Sequence, residues 1–166
     1  MIWCAARINR CCCRAASIAK GRRENHFCQP YRSGADAAEL YRRMIFNILI
    51  SNGDDHLRNH GFLWVGRNGW TLSPAYDLNP TPADVRQRIL STSISLDDAT
   101  CDLDLARSVA AFFGLSATKA TGIIKQAAAT TVHWRDVAAA CDAPPAEIRR
   151  MESAFEHADL TKALAL

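Results

Sequence analysis

From Asp36 onward, apolar positions recur with a helical period. Leu40, Met44 and Ile48 form one row four residues apart, and Tyr41, Ile45 and Leu49 form the next. The spacing predicts a helix over about 37–51, opened by Asp36 as its cap with Glu39 three residues on, in the capping-box arrangement. Its second half is apolar nearly all round and calls for burial. Asn47 interrupts that surface, and a buried amide must find partners, which the backbone of the next loop is placed to supply. The period then changes. Residues 61–65 and 70–72 are aromatic and β-branched runs around Gly66, Arg67, Asn68 and Gly69, whose Asn-Gly pair signals a hairpin. With Arg67 and Asn68 as the loop, the register sets Asn59 opposite Tyr76 and beside Asp77.

Beyond the hairpin, Asn79-Pro80-Thr81-Pro82 imposes an extended turn, because the residue before each proline is biased away from helix. Residues 90–96 read as a short strand. A helix comes next along Leu103, Ala106, Val109, Ala110 and Phe113, stopped at Gly114. Ser116 caps a second, running through Ile123, Ile124, Ala127 and Ala128 to about Ala140. A third starts around Pro144-Pro145 and carries Ile148, Met151 and Phe155. These stripes are core positions. The fold class is α+β, mostly helical, with a single β-hairpin.

The chain has 166 residues, enough for one domain with a sizeable core and no need of disulfides. Its net charge of +3 hides an asymmetry. Residues 1–35 carry seven basic side chains against Glu24 alone, +6, and the remainder has 13 against 16, −3. Five of the seven cysteines (Cys4, Cys11, Cys12, Cys13 and Cys28) share this stretch, in spacings of neither a zinc site nor a disulfide framework. The reading is therefore a basic, Cys-rich segment over 1–34, disordered or foreign to the domain, and a folded domain over 35–166. The basic arm lacks interleaved aromatics, so direct nucleic-acid binding is not expected. Residues 44–50 are apolar but far shorter than the ~20 residues a membrane span needs, and no signal-peptide core is seen. The cytoplasm is the expected location.

The chemistry is concentrated in Asn52-Gly53-Asp54-Asp55-His56-Leu57-Arg58-Asn59 and in Asp77. A polar run of this kind is commonly just a turn. Here, however, Asp54 and Asn59 have the spacing of a kinase catalytic Asp and its magnesium-binding Asn, and a hairpin leads on to a second Asp, as kinases require. Asp54, not Asp55, has the right spacing, which leaves Asp55 as a solvated neighbour. Asn59 and Asp77 offer the oxygen ligands that Mg²⁺ prefers.

Residues 39–63, with Leu72-Ser73-Pro74-Ala75-Tyr76-Asp77-Leu78-Asn79-Pro80, resemble the C-terminal domain of HipA-family kinases. The resemblance covers at least residues 35–95 and, more weakly, the later helices. It implies a kinase-like C-lobe in which Asp54 is catalytic, Asn59 and Asp77 hold Mg²⁺, and His56, Arg58 and Tyr76, with Asn59 and Asp77, bind the nucleotide. It further implies ATP as phosphoryl donor, a protein Ser/Thr acceptor, and a toxin role in a toxin–antitoxin pair with a HipB-like DNA-binding antitoxin as partner.

Departures from the pattern matter too. Neither G-x-G-x-x-G nor G-x-x-x-x-G-K-[ST] occurs, and the lysines are only Lys20, Lys119, Lys125 and Lys162. The expectation is a C-lobe without its N-lobe, a truncated form inactive alone. Alternatives are a non-catalytic remnant that binds an antitoxin-like partner, a small-molecule phosphotransferase, or a metal-dependent hydrolase using His56 and His60 with Asp54 and Asp55. The last needs a helix across the two histidines, against which Gly61 and the strand after it argue.

Overall fold

The computed structural model describes residues 34–166. The basic charge, the five cysteines and the segment boundary read over 1–34 lie essentially outside the described residues. Of the two remaining thiols, Cys101 is buried, which pushes it up to about 12, and Cys141 is exposed.

The first expected helix is present as α1, Gly34–Leu49. Leu40, Tyr41, Met44, Ile45, Ile48 and Leu49 are all fully buried, each large aliphatic chain contributing about 1.5–3 kcal/mol on leaving water. The helix starts earlier than the spacing indicated, and Asp36 is not its cap. The Asp36 carboxylate lies in the first turn and accepts from Thr71 Oγ1 (2.9 Å) and the Leu72 N–H (3.3 Å), tying α1 to the hairpin. Glu39 instead pairs with Arg42 and Arg43, and Arg43 Nη2 donates to the Ser73 carbonyl at 2.6 Å.

The hairpin joins β1 (Phe62–Trp64) to β2 (Trp70–Leu72), antiparallel, with Phe62 opposite Leu72 and Trp64 opposite Trp70. The expected register was off by one. A three-residue 3-10 turn, Gly66–Asn68, replaces the two-residue loop, and Gly66 (φ 70°) and Gly69 (φ 84°) take the left-handed conformations that close it. The last rung is the Ser73 N–H on the Gly61 carbonyl, so the ladder ends before Asn59. Asn59 and Tyr76 do not face each other as a strand pair.

Residues 90–96 form no strand. An isolated bridge joins Ile89 and Thr100, while Leu90 and Ile94 are buried from an irregular loop. The first later helix is split into α2 (Leu103–Ser108), capped by Asp102, and a 3-10 turn (Ala110–Phe113) that ends at left-handed Gly114. Ser116 caps α3 (Ala117–Thr131) as expected, its hydroxyl accepting from the Lys119 N–H. A turn at Val132 and His133 then separates α4 (Trp134–Ala140). The chain ends in α5 (Pro145–Arg150), α6 (Glu152–Phe155) and α7 (Ala158–Ala165), the last absent from the periodicity reading. Helix α1 packs chiefly on α3, and α3 on α7. The result is α+β, mostly helical, with one two-stranded hairpin beside the bundle. No helix among the described residues is long and apolar enough to cross a membrane.

His157 connects α7 to α1. Its Nε2 lies 3.1 Å from the Leu49 carbonyl, and Nδ1 is buried without a hydrogen bond. Burial, helped by Arg88, holds its pKa below the usual value. The unfolded chain therefore binds this proton more readily than the folded one. Stability from this site is full above the unfolded pKa of about 6.5 and declines as the pH falls from there toward the depressed folded value. Melting curves across that window should show a smaller acid-side drop in His157→Gln than in the wild type. Equal drops would show that His157 does not carry the effect.

Candidate functional site

The site is built on the C-terminus of α1. The Asn52 N–H bonds the Asn47 carbonyl (2.9 Å) and the Ser51 N–H the Ile48 carbonyl (3.3 Å), the paired bonds of a Schellman ending. Ser51 occupies the left-handed position (φ 54°) usually given to glycine. Its strain is offset by side-chain bonds, since Ser51 Oγ donates to the Ala154 carbonyl (2.8 Å) and accepts from Arg88 Nε (2.9 Å). Arg88 also reaches the Ile48 carbonyl (3.0 Å) and Asp159 Oδ2 (2.7 Å), and Asp159 Oδ1 accepts from the Leu103 N–H. The loop that leaves α1 is thus fastened to α2, α6 and α7.

Asn47 is fully buried, and its partner is a side chain, not the loop backbone anticipated. Asn52 Nδ2 donates to Asn47 Oδ1 (3.1 Å) and, on its other side, to the Asp77 carbonyl (3.4 Å). Asn52 therefore links the helix end to the segment after the hairpin. Gly53 leaves room for close approach, since a Cβ there would stand 3.1 Å from both the Ile89 carbonyl and Arg86 Cδ and would push the neighbours by a few tenths of an ångström. Its own carbonyl accepts from Ser91 N (3.0 Å) and Ser91 Oγ (2.8 Å).

Asp54 comes next, with its carboxylate exposed and Oδ1 3.4 Å from Arg86 Nη1. Its carbonyl accepts from Asn59 Nδ2 (3.3 Å) across a 3-10 turn, Leu57–Asn59. Asp54 and Asn59 are therefore held together. Asp55 is a correction to the sequence reading. It is buried, not solvated, and its Oδ1 accepts from His60 Nε2 at 2.7 Å, while Thr92 Oγ1 donates to its carbonyl at 2.7 Å. One acid of the turn faces solvent and the other pins the loop.

Asp77 is exposed and adopts a left-handed backbone (φ 57°), uncommon for a non-glycine residue. Asn79 Nδ2 donates to its Oδ1, leaving Oδ2 free. Among the described residues no hydrogen bond joins Asp77 to Asn59. The oxygen set nonetheless fits a hard cation: Asn59 spends its amide nitrogen on Asp54 and keeps its amide oxygen, and Asp77 keeps a carboxylate oxygen. Tyr76 donates to the Arg58 carbonyl (2.6 Å), and His56 and Arg58 line a cavity of about 380 Å³ with Leu57, Ser91, Thr92 and Ser93. His56 and His60 lie on either side of the 3-10 turn, and among the described residues no group of three His, Cys, Asp or Glu side chains is placed to share a metal ion.

Sequence reasoning missed Asn52, the Asp55–His60 pair, Arg86, Arg88 and Ser91. Only the Arg-x-Arg spacing of Arg86 and Arg88, next to Ser91-Thr92-Ser93, was a visible signal.

A helical lobe that presents a loop Asp, an Asn five residues later and an Asp beyond a hairpin has the order of parts of a kinase C-terminal lobe. The family model described as the HipA-like C-terminal domain matches residues 16–155, and the chain belongs to this family. A protein of Sinorhizobium fredii (strain NBRC 101917 / NGR234) named "Putative kinase Y4dM" is 51% identical over 49 residues, 30% of this chain and 12% of that protein. The chain thus matches only a small part of that relative's length. No solved structure matches the chain.

Proposed function

We propose that the chain provides the catalytic lobe of a HipA-like serine/threonine protein kinase, transferring phosphoryl from Mg·ATP to a protein hydroxyl. The observation that carries this reading is the joint anchoring of the loop: Asn59 is tied to Asp54, and Asn52 ties the end of α1 to Asp77. Asp54, exposed at the loop, is the general base that takes the acceptor proton. Asn59 and Asp77 supply the oxygens for Mg²⁺, and His56, Arg58 and Tyr76 lie around the nucleotide. When bound, the metal would neutralise charge on the phosphates. The group that closes over the β- and γ-phosphates is expected from a glycine-rich segment outside these motifs, so this chain alone should transfer slowly or not at all. A toxin role in the cytoplasm, restrained by a DNA-binding antitoxin, is the setting consistent with the family.

Calorimetric binding of Mg·ATP tests the reading on the chain alone. Asp77→Ala removes a carboxylate ligand and should weaken binding by about tenfold or more, as loss of a charge-assisted contact of ~1.4 kcal/mol or above would. Asp77 is exposed, so the fold should survive. Unchanged Mg·ATP affinity in this variant would remove the site assignment.

A further inference from the structure

We propose that the exposed aromatic face of the hairpin is the docking surface for the stretch of this same chain that leads into α1, residues 24–33. Leu72 packs on the hydrophobic core, and the two-residue alternation of a strand puts Trp70 on the same face. Trp64 stands opposite Trp70 in the ladder, and the two indoles meet edge to face at 5.4 Å. Unlike Leu72, they run out past the bundle, Trp64 being 61% and Trp70 43% exposed. Leu63 and Val65, next to Trp64 in sequence, are exposed as well. Single apolar side chains on a surface need no explanation, but a cluster of this kind marks a place of contact.

The place where the described chain begins selects the occupant. Asp36, in the first turn of α1, accepts from Thr71 Oγ1 and from the Leu72 N–H, so the helix starts against β2. The chain that enters at Gly34 therefore arrives close to Trp70, two positions from Leu72 along the strand. Ten residues of extended chain reach up to about 33–36 Å, against about 10 Å for the three residues of β2, so residues 24–33 can cover the face. Within them, Phe27 and Tyr31 set two rings four positions apart, and Arg32 adds a guanidinium beside the second. Such rings pack edge-on or offset against indoles, and a guanidinium stacks on an indole face. Residues 24–33 also fall within the matched span 16–155, which separates them from the Cys-rich start of the chain. A short tether holds them at an effective concentration on the order of millimolar, an advantage that a second copy lacks. The hairpin carries the chain from Asn59 to Asp77, so a segment docked on it braces both, whatever reaction takes place between them.

Hydrogen–deuterium exchange of the full chain, read peptide by peptide by mass spectrometry, tests the docking. Amides of residues 24–33 should exchange about tenfold or more below their intrinsic rates, and Trp64→Ala combined with Trp70→Ala should return them to those rates. In the reciprocal experiment, Phe27→Ala combined with Tyr31→Ala should speed exchange over residues 62–72. Both indoles are largely exposed, and thermal melting checks that the core survives their loss. If the tryptophan variant does not fold, the Phe27 and Tyr31 pair decides the matter through the hairpin peptides. Intrinsic exchange rates over 24–33 in the wild type overturn the proposal, as does slowed exchange there that persists without the two indoles, or hairpin exchange that ignores Phe27 and Tyr31. Protection of the hairpin that rises with protein concentration gives the face to a second copy and overturns it too.

Discussion

Arg88→Met should lower the unfolding free energy by about 3 kcal/mol, the low end of the loss expected when one partner of a buried ion pair is removed. Asp159 would remain inside the protein with its side chain 6% exposed, left with the Leu103 N–H and the His157 ring at 3.9 Å. The Ser51 hydroxyl and the Ile48 carbonyl would lose their guanidinium donors in the same step. Methionine has a similar length and is flexible, so packing loss alone cannot account for a change of this size. Urea denaturation measures it directly. Asp159→Asn should be milder, since the amide oxygen can still accept from Leu103. A loss below about 1 kcal/mol for Arg88→Met would mean that water replaces the guanidinium, and that the loop does not depend on α7 for its anchoring.

This network also shows where the sequence was readable and where it was not. Helix α1 was legible because one face repeats locally, and Ser116 and Gly114 mark their helix ends by side-chain and backbone chemistry within a few residues. The hairpin was legible as a hairpin, but its register depended on whether the turn was the two residues Arg67 and Asn68 or the three residues Gly66–Asn68, a choice between turn geometries that the same residues allow. Asp36 had the spacing of a cap and was drawn into a bond with Thr71, 35 positions on. Arg88 and Asp159 lie 71 residues apart, and no period connects them. The segment 90–96 alternates like a strand, yet among the described residues it has no neighbouring strand to pair with, and its Leu90 and Ile94 enter the core from a loop.

Within the site, the spacing from Asp54 to Asn59 was visible because five residues of loop set their distance. The contrast between Asp54 and Asp55 was not. It depends on His60 binding the Asp55 carboxylate and Thr92 the Asp55 carbonyl, while the Asp54 carboxylate stays in water, which is a tertiary outcome.

That contrast supports the sharpest prediction for activity. Asp54→Asn should reduce phosphoryl transfer to a protein acceptor by about 10²- to 10⁴-fold, the usual contribution of a general base. The amide keeps the size of the side chain but cannot take the acceptor's proton. Its structural cost should be small, within about 0.5 kcal/mol, because the carboxylate is mostly solvated and its pair with Arg86 is long at 3.4 Å. Asp55→Asn should do the reverse, weakening the fold by putting a weaker amide acceptor in the buried bond to His60, while any active fraction that remains folded keeps its chemistry. Radiolabelled transfer from ATP is measured for the chain alone and with a family N-terminal lobe added as a separate polypeptide, alongside a thermal melt of each variant. If Asp55→Asn abolished transfer without loss of stability and Asp54→Asn did not, the buried acid would be the base. Clear transfer by the unsupplemented wild-type chain, lost in Asp54→Asn, would keep Asp54 as the base but show that these 166 residues already contain the group that closes over the phosphates.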